Sequence, residues 1–118
     1  MDNLFEVASQ KIRIYIGRET VDDPYEKNVT VSMLNPVPIS AIVSDLVFSQ
    51  INWKMPGIVT DKAKQLIIKK RHKNLLQKSQ KIQVVGETEY YEGWRQNGKL
   101  QFRQEGDFLR CYIYVKKS

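Results

Sequence analysis

Apolar residues in this chain recur mostly at every second position. Between Lys11 and Gly17, Ile12, Ile14 and Ile16 point one way while Arg13 and Tyr15 point the other. That period of two, carried by β-branched residues, predicts a half-buried strand. The pattern returns at 28–34 with Val29, Val31 and Met33, and at 39–48, where Ala41 and Val43 oppose Ile42 and Ser44. Further strands are predicted over 65–70 around Leu66-Ile67-Ile68, over 81–85 up to Gly86, over 88–94 with Tyr90 and Tyr91, and over 99–104. The cleanest is 108–116: Leu109, Cys111, Ile113 and Val115 face inward, and Arg110, Tyr112, Tyr114 and Lys116 face outward.

The breaks between these runs carry turn chemistry. Asp22-Asp23-Pro24, Pro56-Gly57 and Glu105-Gly106-Asp107 are turn signals. Asn35-Pro36-Val37-Pro38 reads as an extended connector, because the residue before a proline is driven out of helical geometry. Asn97-Gly98 is the best two-residue hairpin turn in the chain. A sustained 3.6-residue period is absent; residues 1–9 suit an N-terminal arm or short helix, and 73–78 a single helical turn. Short strands with turns about every 8–12 residues predict one mostly-β domain over 1–118, a small antiparallel barrel or sandwich of six to eight strands.

One stretch departs from the pattern. Residues 49–64 show no sustained period, and a segment of that length between strands predicts a long projecting loop, of a kind usually functional or disordered. Within it Trp53, Lys54, Met55 and Pro56 are the candidate partner interface, since Trp and Met are enriched at interface cores. The competing expectation is that this loop folds back and Trp53 joins the core.

Composition narrows the function. A chain of 118 residues suits a single domain able to bury a core without staples. No apolar run approaches the 18–20 or so residues of a membrane span, so no membrane association is expected. The acidic start, Met1-Asp2-Asn3-Leu4-Phe5-Glu6, does not look like a secretory signal. The single cysteine, Cys111, allows no internal disulfide and no cysteine-based zinc site, which fits a reducing compartment.

The inventory for catalysis is thin. The one histidine, His72, sits in Lys70-Arg71-His72-Lys73, without a carboxylate nearby in sequence to orient it as a general base. Cys111 falls on the core face of its strand and reads as a small buried hydrophobe. Paired carboxylates are limited to Asp22-Asp23 and to Asp45 with Asp61, and nothing singles them out. Phosphate-loop, dinucleotide and HExxH patterns are missing. The expectation is a binding or assembly protein with no catalytic residues, metal or cofactor.

Charge adds a candidate surface. The net charge is +6, and between Lys62 and Lys81 the basic residues run without an intervening acid. Lys62, Lys64, Lys69, Lys70, Arg71 and Lys73 are the candidate DNA-facing set, as phosphate contact would require. Tyr90, Tyr91, Trp94, Tyr112 and Tyr114 are candidates for a base-stacking platform, which would make the chain a stand-alone nucleic-acid-binding barrel. The plainer alternative is that the lysines alternate with Leu66 and Ile68 as a solvent face, and that the outward tyrosines pack under a neighbouring strand or subunit. Lysine outnumbers arginine here, which favours non-specific contact over base readout.

The order of these features resembles a known family. The Asp22-Asp23-Pro24-Tyr25 turn is followed by Val-Pro-Ile-Ser-Ala-Ile-Val at 37–43 and Trp-Lys-Met-Pro-Gly at 53–57. Leu-Ile-Ile-Lys-Lys at 66–70, Lys-Ile-Gln-Val-Val-Gly-Glu-Thr-Glu-Tyr-Tyr at 81–91 and a last strand after Gly106-Asp107-Phe108-Leu109 complete it. This pattern is similar to the small head-closure, or head–tail connector, proteins of tailed bacteriophages. The resemblance spans most of the chain but rests on strand order and turns. It implies a virion structural protein, made in the host cytoplasm, that assembles as a homo-oligomeric ring. The ring would lie between a portal or adaptor ring protein and a tail protein, and would help retain packaged DNA without sequence preference. It also implies that 49–64 projects toward the channel; here the basic run lies mostly after that segment rather than within it.

Overall fold

A computed structural model describes residues 2–21, 29–33 and 36–115, with side chains over 5–16 and 36–115. Its strands close into a six-stranded antiparallel barrel. Strand β1 (Gln10–Val21) pairs with β3 (Val37–Asp45). Strand β3 pairs with β4 (Ala63–Lys69), and β4 with the last strand, β10 (Phe108–Tyr114). Strand β10 joins β6 (Tyr90–Gly93), β6 joins β5 (Ser79–Val84), and β5 returns to β1. The choice between barrel and sandwich, open in the sequence, is settled as a closed barrel.

Period-two patterning explains the closure. Ile12 lies opposite Ile39 on one side and Val84 on the other, and Ile14 opposite Val37 and Ile82. Each barrel strand turns a row of apolar residues to the same side: Ile39 and Ala41, Leu66 and Ile68, Leu109, Cys111 and Ile113, Ile82 and Val84. These side chains occupy the interior, so the barrel is a packed core rather than a pore. Helix α3 (Lys73–Gln77), reached through a 3-10 turn over Lys70–His72, inserts Leu76 into the same cluster. The single helical turn expected at 73–78 is present.

Past Ile16 the character of β1 changes. The register with β5 shifts between Tyr15 and Ile16, and from Gly17 to Val21 the strand pairs with β2 (Val29–Met33) instead. A bulge at such a point bends and twists a strand. Here it marks where β1 leaves the barrel as one arm of a two-stranded ribbon. Five paired residues extend about 16 Å. The turn expected at Asp22-Asp23-Pro24 lies outside the described residues.

The segment 49–64 differs most from its expectation as a projecting loop. Its first part is helix α2 (Phe48–Lys54), and the chain after it is tied to the barrel. Ile51 and Met55, four residues apart on one helical face, are buried together with Ala63. Thr60 is buried, donating its hydroxyl to the Val115 carbonyl at 2.7 Å and accepting from the Lys62 amide at 3.2 Å. A helix too short to display several periods gives little periodic signal, which is why the pattern looked irregular.

At the N-terminus, α1 (Asp2–Ala8) buries Phe5 against Phe108, with ring centroids 5.2 Å apart. Near the C-terminus, Asn97 and Gly98 both take positive φ, 53° and 78°, in the hairpin joining β7 (Arg95–Gln96) to β8 (Lys99–Leu100). Strand β9 (Arg103–Glu105) then pairs back onto β10.

Gly93 shows how tightly this hairpin sits on the barrel. A β-carbon there would lie 2.3 Å from Cδ1 of the buried Leu100. Gly93→Ala is expected to cost about 1–3 kcal/mol in urea unfolding. Combined with Leu100→Ala, which removes the obstructing methyl groups, the loss should fall short of the sum of the single changes by about 0.5–3 kcal/mol. Strict additivity would show that Leu100 is not the obstacle.

Candidate functional site

The basic run is divided by the barrel into two groups with different surroundings. Lys64 has the same parity on β4 as Leu66 and Ile68, so it points to the barrel interior rather than to a solvent face. It stands opposite Asp45 on β3 and opposite Ile113 on β10, at one mouth of the barrel. The Lys64 ammonium donates to Asp45 and lies 3.2 Å from Glu87. Lys62 is 3.2 Å from Glu87 and 3.0 Å from Glu89. Tyr91, fully buried on β6, donates its hydroxyl to Glu87 at 2.6 Å.

These groups form a polar plug in which each charge has a counter-charge. Burial opposes the charge on Lys64, but the bonds to Asp45 and Glu87 outweigh it and its pKa is raised. Burial likewise works against the Glu87 carboxylate, yet Tyr91, Lys62 and Lys64 hold its pKa below the ordinary value. The Tyr91 phenol is pushed up by burial and by its bond to Glu87. Lys62 and Lys64 therefore leave the candidate DNA-facing set: their charge is spent on Asp45, Glu87 and Glu89. An alternation-based expectation missed this because the mouth of a barrel is where an inward-facing position meets water.

Of the other basic candidates, Lys69 is partly exposed on the end of β4, and Lys70, Arg71 and Lys73 are exposed on the turn and helix that follow. They lie where β4 ends, from Lys69, which pairs with Phe108, onward, and Lys11 joins Lys69 and Arg71 from β1. His72 is half-buried there. Burial, then the positive charges of Arg71 and Lys69, lowers its pKa.

The expected tyrosine platform is not assembled. Tyr91 is core, and Tyr112, Tyr114 and Trp94 pack on the outer wall of the barrel around Ile51, Met55 and Ala63. Helix α2 covers the outward face of β10, the packing that a row of outward aromatics on one strand invites. Tyr90 remains partly exposed, set edge-on to Tyr15 at 5.6 Å, with Lys81 4.2 Å above its ring.

The candidate interface at 53–56 separates in the same way. Trp53 is 85% exposed and Pro56 is exposed, while Met55 is wholly buried. Lys54 is partly exposed, its ammonium 5.9 Å from the centre of the Tyr112 ring. Trp53 does not fold back into the core. It is accompanied by Val47, by Phe48 at 75% exposure and by Val59 beyond the helix. Phe48 and Val47, at the helix start, are members of this surface that the sequence placed in a strand.

The groups considered for catalysis stand as follows. Cys111 is buried in the core with its thiol pushed up to about 12 by that burial. Asp45 and Asp61 both line a depression of about 380 Å3, together with Lys62, Lys64 and Glu87. Asp22 and Asp23 lie outside the described residues. Among the described residues no group of three His, Cys, Asp or Glu could hold a metal ion, and no helix is long and apolar enough to cross a membrane. Comparison with family models, curated proteins and solved structures returns no match to this chain.

The plug yields a pH-dependent expectation. Because the pKa of Glu87 is depressed in the fold, its stabilising effect is present above its ordinary value of 4.5 and is lost as pH falls below it. Glu87→Gln should lower stability near neutral pH by about 1–2 kcal/mol, the low part of the range because Glu87 is partly solvated. Urea midpoints measured from neutral pH downward should fall less steeply for the variant than for the native chain below pH 4.5. Parallel curves would remove Glu87 as the responsible carboxylate.

Proposed function

We propose that this chain is a virion structural protein, a head–tail connector subunit of the head-closure type. It would assemble as a ring between a portal or adaptor ring and the tail, and help to retain packaged DNA. The observation that carries this reading is the exposure of two large aromatic side chains on α2, Phe48 near its start and Trp53 near its end. Two large rings left in water beside an already filled core favour a protein partner, because aromatic anchors of this kind dominate interface energies.

Two further features support it. The interior is filled by the chain's own side chains, so binding falls to the outer surface. The ribbon formed by β1 and β2 runs beyond the barrel, which gives a ring subunit an arm for reaching a neighbour or the channel. In this reading the reaching role that the family resemblance assigns to 49–64 passes to the ribbon, and α2 becomes a docking face. The role is assembly rather than catalysis, the site of action is the virion, and synthesis is in the host cytoplasm. The alternative of a stand-alone nucleic-acid-binding barrel loses its stacking platform but keeps a basic end.

The test uses DNA-filled heads that lack this protein. Added native chain should attach and protect the packaged DNA from nuclease. Trp53→Ser should leave urea stability within about 0.5 kcal/mol of native, as for an exposed position, and abolish protection. Protection by Trp53→Ser equal to that by the native chain would show that α2 is not the docking face. Failure of the native chain to bind or protect would overturn the connector reading.

A further inference from the structure

At the end of the barrel away from the polar plug, five elements enclose a depression of about 260 Å3. Lys11 enters it from β1, Ser40 from β3, Lys69 from the end of β4, and Arg71 and His72 from the 3-10 turn. Glu6 of α1 contributes the one carboxylate of this lining. These residues span 66 positions of the chain yet share one concavity. Contiguity in the sequence therefore does not account for the gathering of positive charge.

The polar groups are poised as donors. Lys11 donates to the Ser40 hydroxyl at 3.0 Å, which leaves the hydroxyl proton of Ser40 available to an acceptor. Arg71 directs Nε to Nε2 of His72 at 3.4 Å, leaving its terminal nitrogens for a planar anion. Lys69 is 3.5 Å from Glu6, a loose pair on the surface, so the carboxylate offsets one of three permanent cations. The plug at the opposite mouth neutralises its lysines with three acids; this end does not. Exposed Lys70 and Lys73 extend the positive surface beyond the depression.

We infer that this depression is a phosphate-binding site, with Lys11, Arg71 and the Ser40 hydroxyl as the donors that meet the phosphate oxygens. The phosphate belongs either to a nucleic-acid backbone or to a free phosphate, and the flanking Lys70 and Lys73 favour the former. The site stands apart from the docking face at α2 and does not depend on ring assembly. It also revises which basic residues face a polyanion: Lys11 enters the set, and Lys62 and Lys64 leave it.

His72 reports on the site directly, because it is the only histidine in the chain and gives a single imidazole resonance. The groups facing it are Arg71, Lys69, Lys11 and Glu6, and burial with the first two holds its pKa down. An anion in the depression reverses that field and raises the pKa. The experiment follows the His72 resonance of the full chain against pH, alone, with inorganic phosphate and with a short DNA duplex. Fluorescence anisotropy of the same duplex is then measured over a range of salt for native protein, Lys11→Gln/Arg71→Gln, Glu6→Gln and Lys62→Gln.

The expected result is an upward His72 shift with duplex and weaker duplex binding by the double variant. The slope of log affinity against log salt should be shallower by about 2, one for each contact removed. Glu6→Gln should tighten binding, and Lys62→Gln should match the native chain. An upward shift with inorganic phosphate, not exceeded with duplex, would support the site and assign it to free phosphate. A His72 titration indifferent to both ligands, or, where duplex shifts His72 beyond phosphate, a double variant that binds duplex as Lys62→Gln does, would overturn the inference. Because the His72 readout uses the native chain, it does not depend on any variant folding.

Discussion

The sheet becomes a barrel through one further pairing, that of β1 with β5, made in part at the same residues by which β1 pairs with β3 on its other edge. Ile12 and Ile14 each face a residue of β3 on one side and of β5 on the other, and their side chains fill the centre of the barrel. The other features follow from that closure. A closed barrel has no free edge, which removes the hazard of an unpaired strand. It also fixes two mouths, and each mouth has to be stopped. Leu76 of α3 enters the core from one element of the connection between β4 and β5, and the Lys64–Glu87–Tyr91 group occupies the mouth where β3 ends.

The two groups of basic residues differ because of this geometry. Lys64 and Lys69 lie five residues apart on a single strand, so they have opposite parity and reach opposite ends. One points inward at a mouth and has to be paired to be tolerated there. The other stands at the far end beside Lys11 and Arg71, where solvent and a sparse supply of carboxylates leave positive charge available. The exposed apolar residues of α2, the ribbon of β1 and β2 and the basic end are carried by different elements around the same barrel.

Much of the fold was legible in the residues. Strands within 11–17, 28–34, 65–70, 81–85 and 108–116 followed from β-branched alternation, which has a local cause in the pleat of a strand; the run read over 39–48 is a strand only to Asp45, and Phe48 opens α2. The Asn97-Gly98 hairpin was legible for an equally local reason, the tolerance of both residues for positive φ. Helix α2 was not: two turns provide too few repeats for a period to show, and Ile51 and Met55 reveal their common face only when Ala63 and Tyr112 are beneath them. The candidate interface residues part for the same reason: Trp53 and Met55 are near neighbours in sequence, yet Trp53 is exposed and Met55 is buried.

The sequence by itself determined a mostly-β fold, the parity of its core residues, turns between strands and a surplus of positive charge. Those properties depend on neighbours within a few residues, where steric and hydrophobic preferences act directly. The tertiary structure alone decided that the sheet closes, that Lys64 meets Asp45 and Glu87, that α2 covers Tyr112 and Tyr114, and that Lys11 joins Arg71 across 60 positions of chain. Each of these is a pairing of distant segments. Its free energy comes from burial and charge compensation that no local window contains.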